Sequence, residues 1–489
     1  MRGCIRFVSF WMLVVLLVAC GSTANQTPTN PPQAAATQTP EPPSTFASGS
    51  SIAGIDVSGL TPEEAVEKLK NDLTLLKQPL ELKIVDEQLS LTPEQIKLEV
   101  PVDELVAAAQ SSLQAGQPAE VDLSFSYDQS TVRSELEALA LSVATPGVTR
   151  LITETDRYSR TFVFEPGLSL DIDAALEQID QHLQGDQQGT IELELVPDGT
   201  PEPVSIAELQ STLETMAERW DGVVGIYLYD LQSGETVAIN EDVVFSGASV
   251  MKVPIMLQSY ISLPELSDEE RELMAEMIGK SDNMAANDLL AKVAGGQGTD
   301  IALEGVGIMN ETLKSLGLEH TYQNLPYEAG EFLINVLGMK IPRGPAEEGV
   351  PPFTEADPYV RTTPKEIAQI FIWIYQCSNG EGILLERYGD SLTPERCAEM
   401  ISWLEQNEDQ IRMVAGFPEG TKVAHKSGWV EDMQADAGIV STPGGDFVVA
   451  LYFYQQQRNS YLADEYAAPI IAAFARLIYS AYNPTIVTP

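Results

Sequence analysis

The chain has 489 residues, with 28 lysines and arginines against 72 aspartates and glutamates, a formal charge of −44. Displacing counterions from phosphate needs a basic face, so this balance argues against a nucleic-acid partner and against electrostatic docking on anionic lipid. Apolar residues make up 44% of the chain, enough for ordinary globular cores, and the length suits roughly three domain-sized units. The histidines (His182, His320, His425) and the four cysteines form no cluster with metal-ligand spacing, so no metal and no cofactor is implied.

Arg2 and Arg6 precede an apolar run from Phe7 to Ala19. A positive start, a short apolar core and small closing residues describe a secretory signal peptide, and the run is too short to span a bilayer comfortably. The ending Leu17-Val18-Ala19-Cys20 resembles the bacterial lipobox, in which the cysteine is lipidated and becomes the mature N-terminus. That resemblance makes residues 1–19 a lipoprotein signal peptide and Cys20 the point of membrane attachment. Cleavage after Ser22-Thr23-Ala24, releasing a soluble product, is the alternative; both put the protein outside the cytoplasm. Residues 20–51 are rich in Thr, Pro, Ala, Gln and Ser, with Glu41 as the one charged residue. Such a segment buries too little apolar surface to offset chain entropy and reads as a flexible tether.

Residues 52–204 alternate helical and strand patterns. Thr61-Pro62-Glu63-Glu64 combines a capping threonine, a first-turn proline and a glutamate that closes a capping box. It predicts a helix over Glu63–Leu76, followed by an alternating strand over Leu80–Ile84. A helix over Asp173–Leu183 and a strand over Ile191–Leu195 repeat the order, which suggests two related α+β units. Ile55-Asp56-Val57-Ser58-Gly59-Leu60-Thr61 and Phe164-Glu165-Pro166-Gly167 resemble the peptidoglycan-binding domain of vancomycin-resistance W-type envelope proteins. The resemblance implies a module that binds peptidoglycan. A pure spacer is the other reading, because nothing here assembles a catalytic set.

From Ser205 to residue 489 the character changes. Val223–Tyr229 and Thr236–Asn240 read as a hairpin around Gln232-Ser233-Gly234-Glu235. Helical patterns fill Val250 to Glu405. Strands return at Thr421–Lys426, Ala437–Ser441 and Phe447–Tyr454, and an apolar helix over Ala463–Tyr482 closes the chain. The fold class is therefore α+β: one antiparallel sheet built from distant segments and flanked by helices, with a helical lobe beside it.

Three short motifs stand out in this part. Ser249-Val250-Met251-Lys252 is an S-x-x-K; on a helix the amine lies one turn from the hydroxyl and can activate it as a base if its pKa is depressed. Ser281-Asp282-Asn283 precedes a helical stretch, Met284–Val293, so the plain reading is a helix cap. Lys426-Ser427-Gly428 ends a strand, where Gly428 permits close approach of a ligand backbone. Each is common alone. In the order S-x-x-K, S-D-N, K-S-G, each in its own structural context, they resemble the catalytic domain of class A β-lactamases and penicillin-recognising serine peptidases.

That resemblance, over residues 205–482, implies roles by position. Ser249 is the acylated nucleophile and Lys252 its base, with Ser281 and Lys426 relaying a proton to the leaving nitrogen. Asn283 holds the substrate amide, and Ser427 with Lys426 its carboxylate. The N–H groups of Ser249 and Trp429 receive the oxyanion. Two lysines at one pocket also repel, which favours a neutral Lys252. The substrate is then a β-lactam or a D-alanyl peptide of peptidoglycan, with a lipid anchor at the membrane.

The pattern breaks in three places. S-x-x-K and S-D-N lie only 32 residues apart, so the helical lobe is trimmed. The stretch from Tyr327 to Thr363 holds Glu328, Glu331, Glu347, Glu348 and Glu355, but none begins the family's E-x-x-L-N loop, whose glutamate activates the deacylating water. Losing a positioned base costs about 10²–10⁴ in rate, so deacylation is expected to be slow. No Arg or Lys occurs between Lys426 and Arg458, which removes the usual extra cation on the neighbouring strand. Cys377 and Cys397 are either a disulfide, permitted outside the cytoplasm, or two buried thiols. Trp429 is a pocket wall or a plain strand aromatic. The competing reading of the whole chain is a wall-tethered scaffold whose hydrolase fold has lost turnover.

Overall fold

The computed structural model describes residues 44–154, 156–456 and 461–487. The expected signal peptide, Cys20 and most of the expected tether lie outside the described residues. The chain divides into two compact units, one of residues up to 78 with 97–127 and 184–187, the other of 79–96, 128–183 and 188 onward.

In the first unit the capping box forms: Thr61 accepts from Glu64 N, and Glu64 accepts from Thr61 N at 2.9 Å. A helix runs over Pro62–Asp72, four residues shorter at its end than its pattern suggests. The Asp186 carboxylate takes the Thr74 and Leu75 N–H groups at 3.1 and 2.8 Å, which turns the chain out of the helix. A second helix, Val102–Ala115, packs beside the first.

In the second unit the strand Leu80–Ile84 pairs antiparallel with Glu87–Leu91 and parallel with Thr190–Leu193, so two segments more than a hundred residues apart share one sheet. The helix after Leu170 spans Ile172–Gln184. The strand Arg160–Glu165 lies against the C-terminal helix, where Phe162 N donates to Ser480 Oγ at 2.9 Å.

The centre of the second unit is a five-stranded antiparallel sheet. Its strands in chain order are β1 (Val223–Asp230), β2 (Thr236–Ile239), β3 (Lys422–Val430), β4 (Met433–Ser441) and β5 (Phe447–Tyr454), arranged β2-β1-β5-β4-β3. The helices that matter here are α1 (Ile206–Ala217), α2 (Lys252–Ser262), α3 (Asp268–Gly279), α4 (Asn283–Val293), α5 (Pro364–Ser378), α6 (Pro394–Leu404) and α7 (Asp464–Tyr482). Strand β5 is buried throughout, and its side chains alternate as a pleat requires. Phe447, Val449, Leu451 and Phe453 join the core made with α1 and α7. Val448, Ala450 and Tyr452 face the core shared with α2, α4 and α5. Each such side chain contributes about 1.5–3 kcal/mol by leaving water.

Two strands are longer than their sequence patterns suggest. Strand β4 starts at Met433 rather than Ala437 because the buried polar residues Gln434 and Asp436 find partners in other elements. Strand β3 continues through Ser427-Gly428-Trp429 to Val430, and Ser427 faces Asp436 in register. This makes the K-S-G segment part of the sheet's edge strand, buried alongside the turn that leads into α2.

Candidate active site

Ser249 lies in a 3₁₀ turn, Ala248–Met251, that runs directly into α2. With 3.0 residues per turn, side chains three apart eclipse, so Lys252 stands over Ser249 and its Nζ is 2.8 Å from the hydroxyl. The S-D-N segment closes over the same amine. Asp282 is the helix cap, accepting from Ala285 N at 2.7 Å. Its neighbours turn inward: Lys252 Nζ reaches Ser281 O at 2.9 Å, Ser281 Oγ at 3.2 Å and Asn283 Oδ1 at 2.6 Å. The capping reading thus holds for one residue of the three.

Three non-glycine residues with left-handed backbone sit here: Ala248 at φ 45°, Ser281 at 62° and Glu328 at 58°. Such conformations cost of order 1 kcal/mol each and persist where surrounding contacts fix them. The Tyr327 hydroxyl donates to Ala248 O at 2.8 Å and fastens the first of these.

Lys252 is fully buried. Burial, followed by the charge of Lys426, lowers its pKa from 10.5 to about 7, against opposing attraction from Asp282 and Glu328. Repulsion between the lysines is therefore the lesser cause of its lowered pKa. Lys426 is also buried, donates to Ser427 O at 3.0 Å, and is lowered to about 8 by burial, with Asp436 and Asp409 opposing and Arg412 reinforcing. Ser249, Lys252, Ser281 and Asn283 form one hydrogen-bonded cluster, and Lys426 acts on it through charge. Ser249 itself is partly exposed.

Gly428 explains how β3 comes so close. A methyl group at this position would lie 2.9 Å from the backbone nitrogens of both Ser249 and Val250, so only glycine lets the strand edge meet the Ser249 turn. Trp429 is 53% exposed and meets Tyr461 edge-on at 5.5 Å, a small aromatic rim rather than a packed core contact. Arg412 grips the Asp409 carboxylate; burial pushes its pKa up, but the nearby Ser427 hydroxyl and Arg412 hold it below the ordinary value.

Several residues here went unread in the sequence. Arg412 is buried and reaches Gln434 on β4 at 3.2 Å and Asp464 at 2.6 Å. The absence of a strand cation after Lys426 is real, but Arg412 supplies one from upstream, through space. Asp436 accepts from Met413 N at 3.1 Å and pairs with buried His425 at 2.8 Å. In the stretch expected to carry the deacylating carboxylate, the side chain standing over Lys252 is the Tyr327 ring, 4.5 Å from Nζ. Burial raises the Tyr327 hydroxyl's pKa far above neutrality, so it is no base. Glu328 binds the Asn283 amide at 2.7 Å, Glu348 pairs with Arg361 at 2.7 Å, and Glu331 accepts from Asn335 at 2.7 Å. Only fold-level contact distinguishes these glutamates. Cys377 and Cys397, on α5 and α6, form a disulfide with Cα atoms 5.8 Å apart. Among the described residues, no group of three or more His, Cys, Asp or Glu could hold a metal ion.

An amine held against the hydroxyl of a partly exposed serine, at the seam of a helical lobe and an antiparallel sheet, defines a serine-hydrolase fold of the β-lactamase and penicillin-binding kind. The sequence model of the Beta-lactamase enzyme family matches residues 208–265 and 264–482, more than half of the chain, and the protein belongs to that family. Among solved structures, PBP-A is 20% identical, covering 58% of this chain and 99% of its own, with a TM-score of 0.42. An ancestral class A β-lactamase of Gram-negative bacteria is 22% identical, covering 56% of this chain and 99% of its own, with a TM-score of 0.41. No curated protein matches the sequence significantly.

Proposed function

We propose that the protein opens a β-lactam or a D-alanyl amide of peptidoglycan through an acyl-serine intermediate and releases the acyl group slowly. Ser249 Oγ bonds to the carbonyl carbon while its proton passes to neutral Lys252. The N–H groups of Ser249 and Trp429 receive the oxyanion. The C–N bond then breaks, its electron pair leaving with nitrogen, which takes a proton through Ser281 with Lys426 behind it. Asn283 holds the substrate amide, and Lys426 with Ser427 its carboxylate. The single observation that carries this reading is the 2.8 Å contact between a partly exposed serine and a buried lysine whose pKa is lowered to about 7.

What covers Lys252 supports slow release. Hydrolysis of the ester needs a base beside an attacking water, and the ring of Tyr327 occupies the place over the amine. A non-catalytic scaffold gains nothing from a buried lysine, which costs stability.

A reporter penicillin should add covalently to the wild-type chain and not to Ser249→Ala, read by intact mass. Equal labelling of both, or of neither, overturns the assignment. Following the adduct's mass over time measures release: a persistent adduct supports this reading, and rapid loss with consumption of the drug refutes slow deacylation. We further propose that Cys20 carries a lipid, that residues 20–51 form the tether, and that residues 52–204 hold the catalytic domain at the peptidoglycan. The wild-type protein should then sediment with membranes and Cys20→Ala should not; identical fractionation rules out the anchor.

A further inference from the structure

The acyl-serine reading gives Glu328 no task, yet the fold delivers its carboxylate to the substrate clamp. Asn283 cannot turn over, because its Oδ1 accepts from Lys252 Nζ at 2.6 Å. Its Nδ2 must therefore face Glu328, whose Oε1 it reaches at 2.7 Å. The backbone holding that carboxylate is fixed. Asn287 grips Tyr327 on both sides, accepting from its N–H and donating to its carbonyl at 2.8 Å each, and Ala329 beyond is buried. Glu328 itself is exposed and takes the left-handed φ of 58° between these anchors. Among the described residues it accepts from the neutral Asn283 amide and pairs with no cation within ion-pair distance.

A substrate that brings its amide carbonyl to Asn283 Nδ2 must displace Glu328 from that donor. The exposed carboxylate is then solvated by water and keeps its charge beside whatever group the substrate brings there. A carboxylate on the substrate at this point would meet like charge; an ammonium would be bonded. We propose that Glu328 makes the rim of the Asn283 clamp a subsite for a primary ammonium group, so that the enzyme favours acyl donors with an amine next to the amide carbonyl. The inference rests on the acyl-serine reading and narrows its substrate class to amine-bearing peptides and their β-lactam mimics.

The test uses the full-length protein and three penicillins whose phenylacetyl side chain carries an α-amine, no substituent or an α-carboxylate. Acylation rate constants are read by intact mass. The wild type should favour the amine over the carboxylate by on the order of tenfold at low salt, as expected for two exposed charge contacts of opposite sign, and by less as salt is added. Glu328→Gln should collapse that ratio. Glu331→Gln, a nearby exposed acid bonded to Asn335, should preserve it. Using a ratio cancels any uniform loss of activity in a variant. Labelling without charge preference in the wild type, or a ratio unchanged in Glu328→Gln, overturns the subsite while leaving the acyl-serine reading intact. If none of the penicillins labels the wild type, both fall.

Discussion

Replacing Lys252 with methionine should make the protein more stable, by an amount that depends on pH. The side chain is fully buried, and its pKa stands at about 7 in place of 10.5. The folded state therefore binds this proton less tightly than the unfolded chain does. Each pKa unit is worth about 1.4 kcal/mol, so below pH 7 the lysine costs on the order of 4–5 kcal/mol. That cost shrinks as pH rises from about 7 toward 10.5, because the unfolded chain then loses its preference for the proton. Methionine is one atom shorter and removes the charge, but it leaves Ser281 O, Ser281 Oγ and Asn283 Oδ1 without their donor, at about 1 kcal/mol each. The net gain at neutral pH is about 1–3 kcal/mol, with acylation abolished. Urea unfolding followed by tryptophan fluorescence suits the measurement, since Trp220, Trp373, Trp403 and Trp429 all belong to the second unit. The advantage of the variant should be largest at pH 7 and below, and should narrow by roughly 1.4 kcal/mol per unit above it. A stability difference that does not vary between pH 7 and 10 would refute the claim that burial depresses this lysine.

The acylation rate should follow a narrow bell. It rises as Lys252 becomes a free base near pH 7 and falls as Lys426 loses its charge near pH 8; a rate that is level from pH 6 to 9 contradicts this. Gly428→Ala should slow acylation by roughly a hundredfold, because the added methyl meets backbone at Ser249 and Val250 and displaces the nucleophile's turn by a sizeable fraction of an ångström. Circular dichroism would show the fold retained, and an unchanged rate would mean that the strand edge does not set the position of Ser249.

Much of the fold is legible along the chain because the signals are local. The capping box at Thr61 is a contact between residues three apart, so the sequence contains it whole. The apolar run of β5 is read equally easily, since a strand buried on both faces needs no polar alternation. The three motifs are legible for the same reason: S-x-x-K, S-D-N and K-S-G each lie within a few residues, and each meets its chemistry through one turn or one strand end. Strand β4 is the opposite case. Gln434 and Asp436 look like loop residues until Arg412, His425 and Met413 N arrive to satisfy them.

The sequence by itself determined the local contacts of the candidate site: which hydroxyl has an amine one turn away, and which glycine admits the strand. Those choices depend on spacings of two to four residues, and backbone geometry converts them directly into distances. Tertiary structure alone decided the electrostatics and what surrounds the cluster. It buried Lys252, brought Arg412 to strand β4, laid the Tyr327 ring over the amine and set Glu328 against Asn283. Burial and charge act through space between segments tens of residues apart, and no local pattern records which of them will meet.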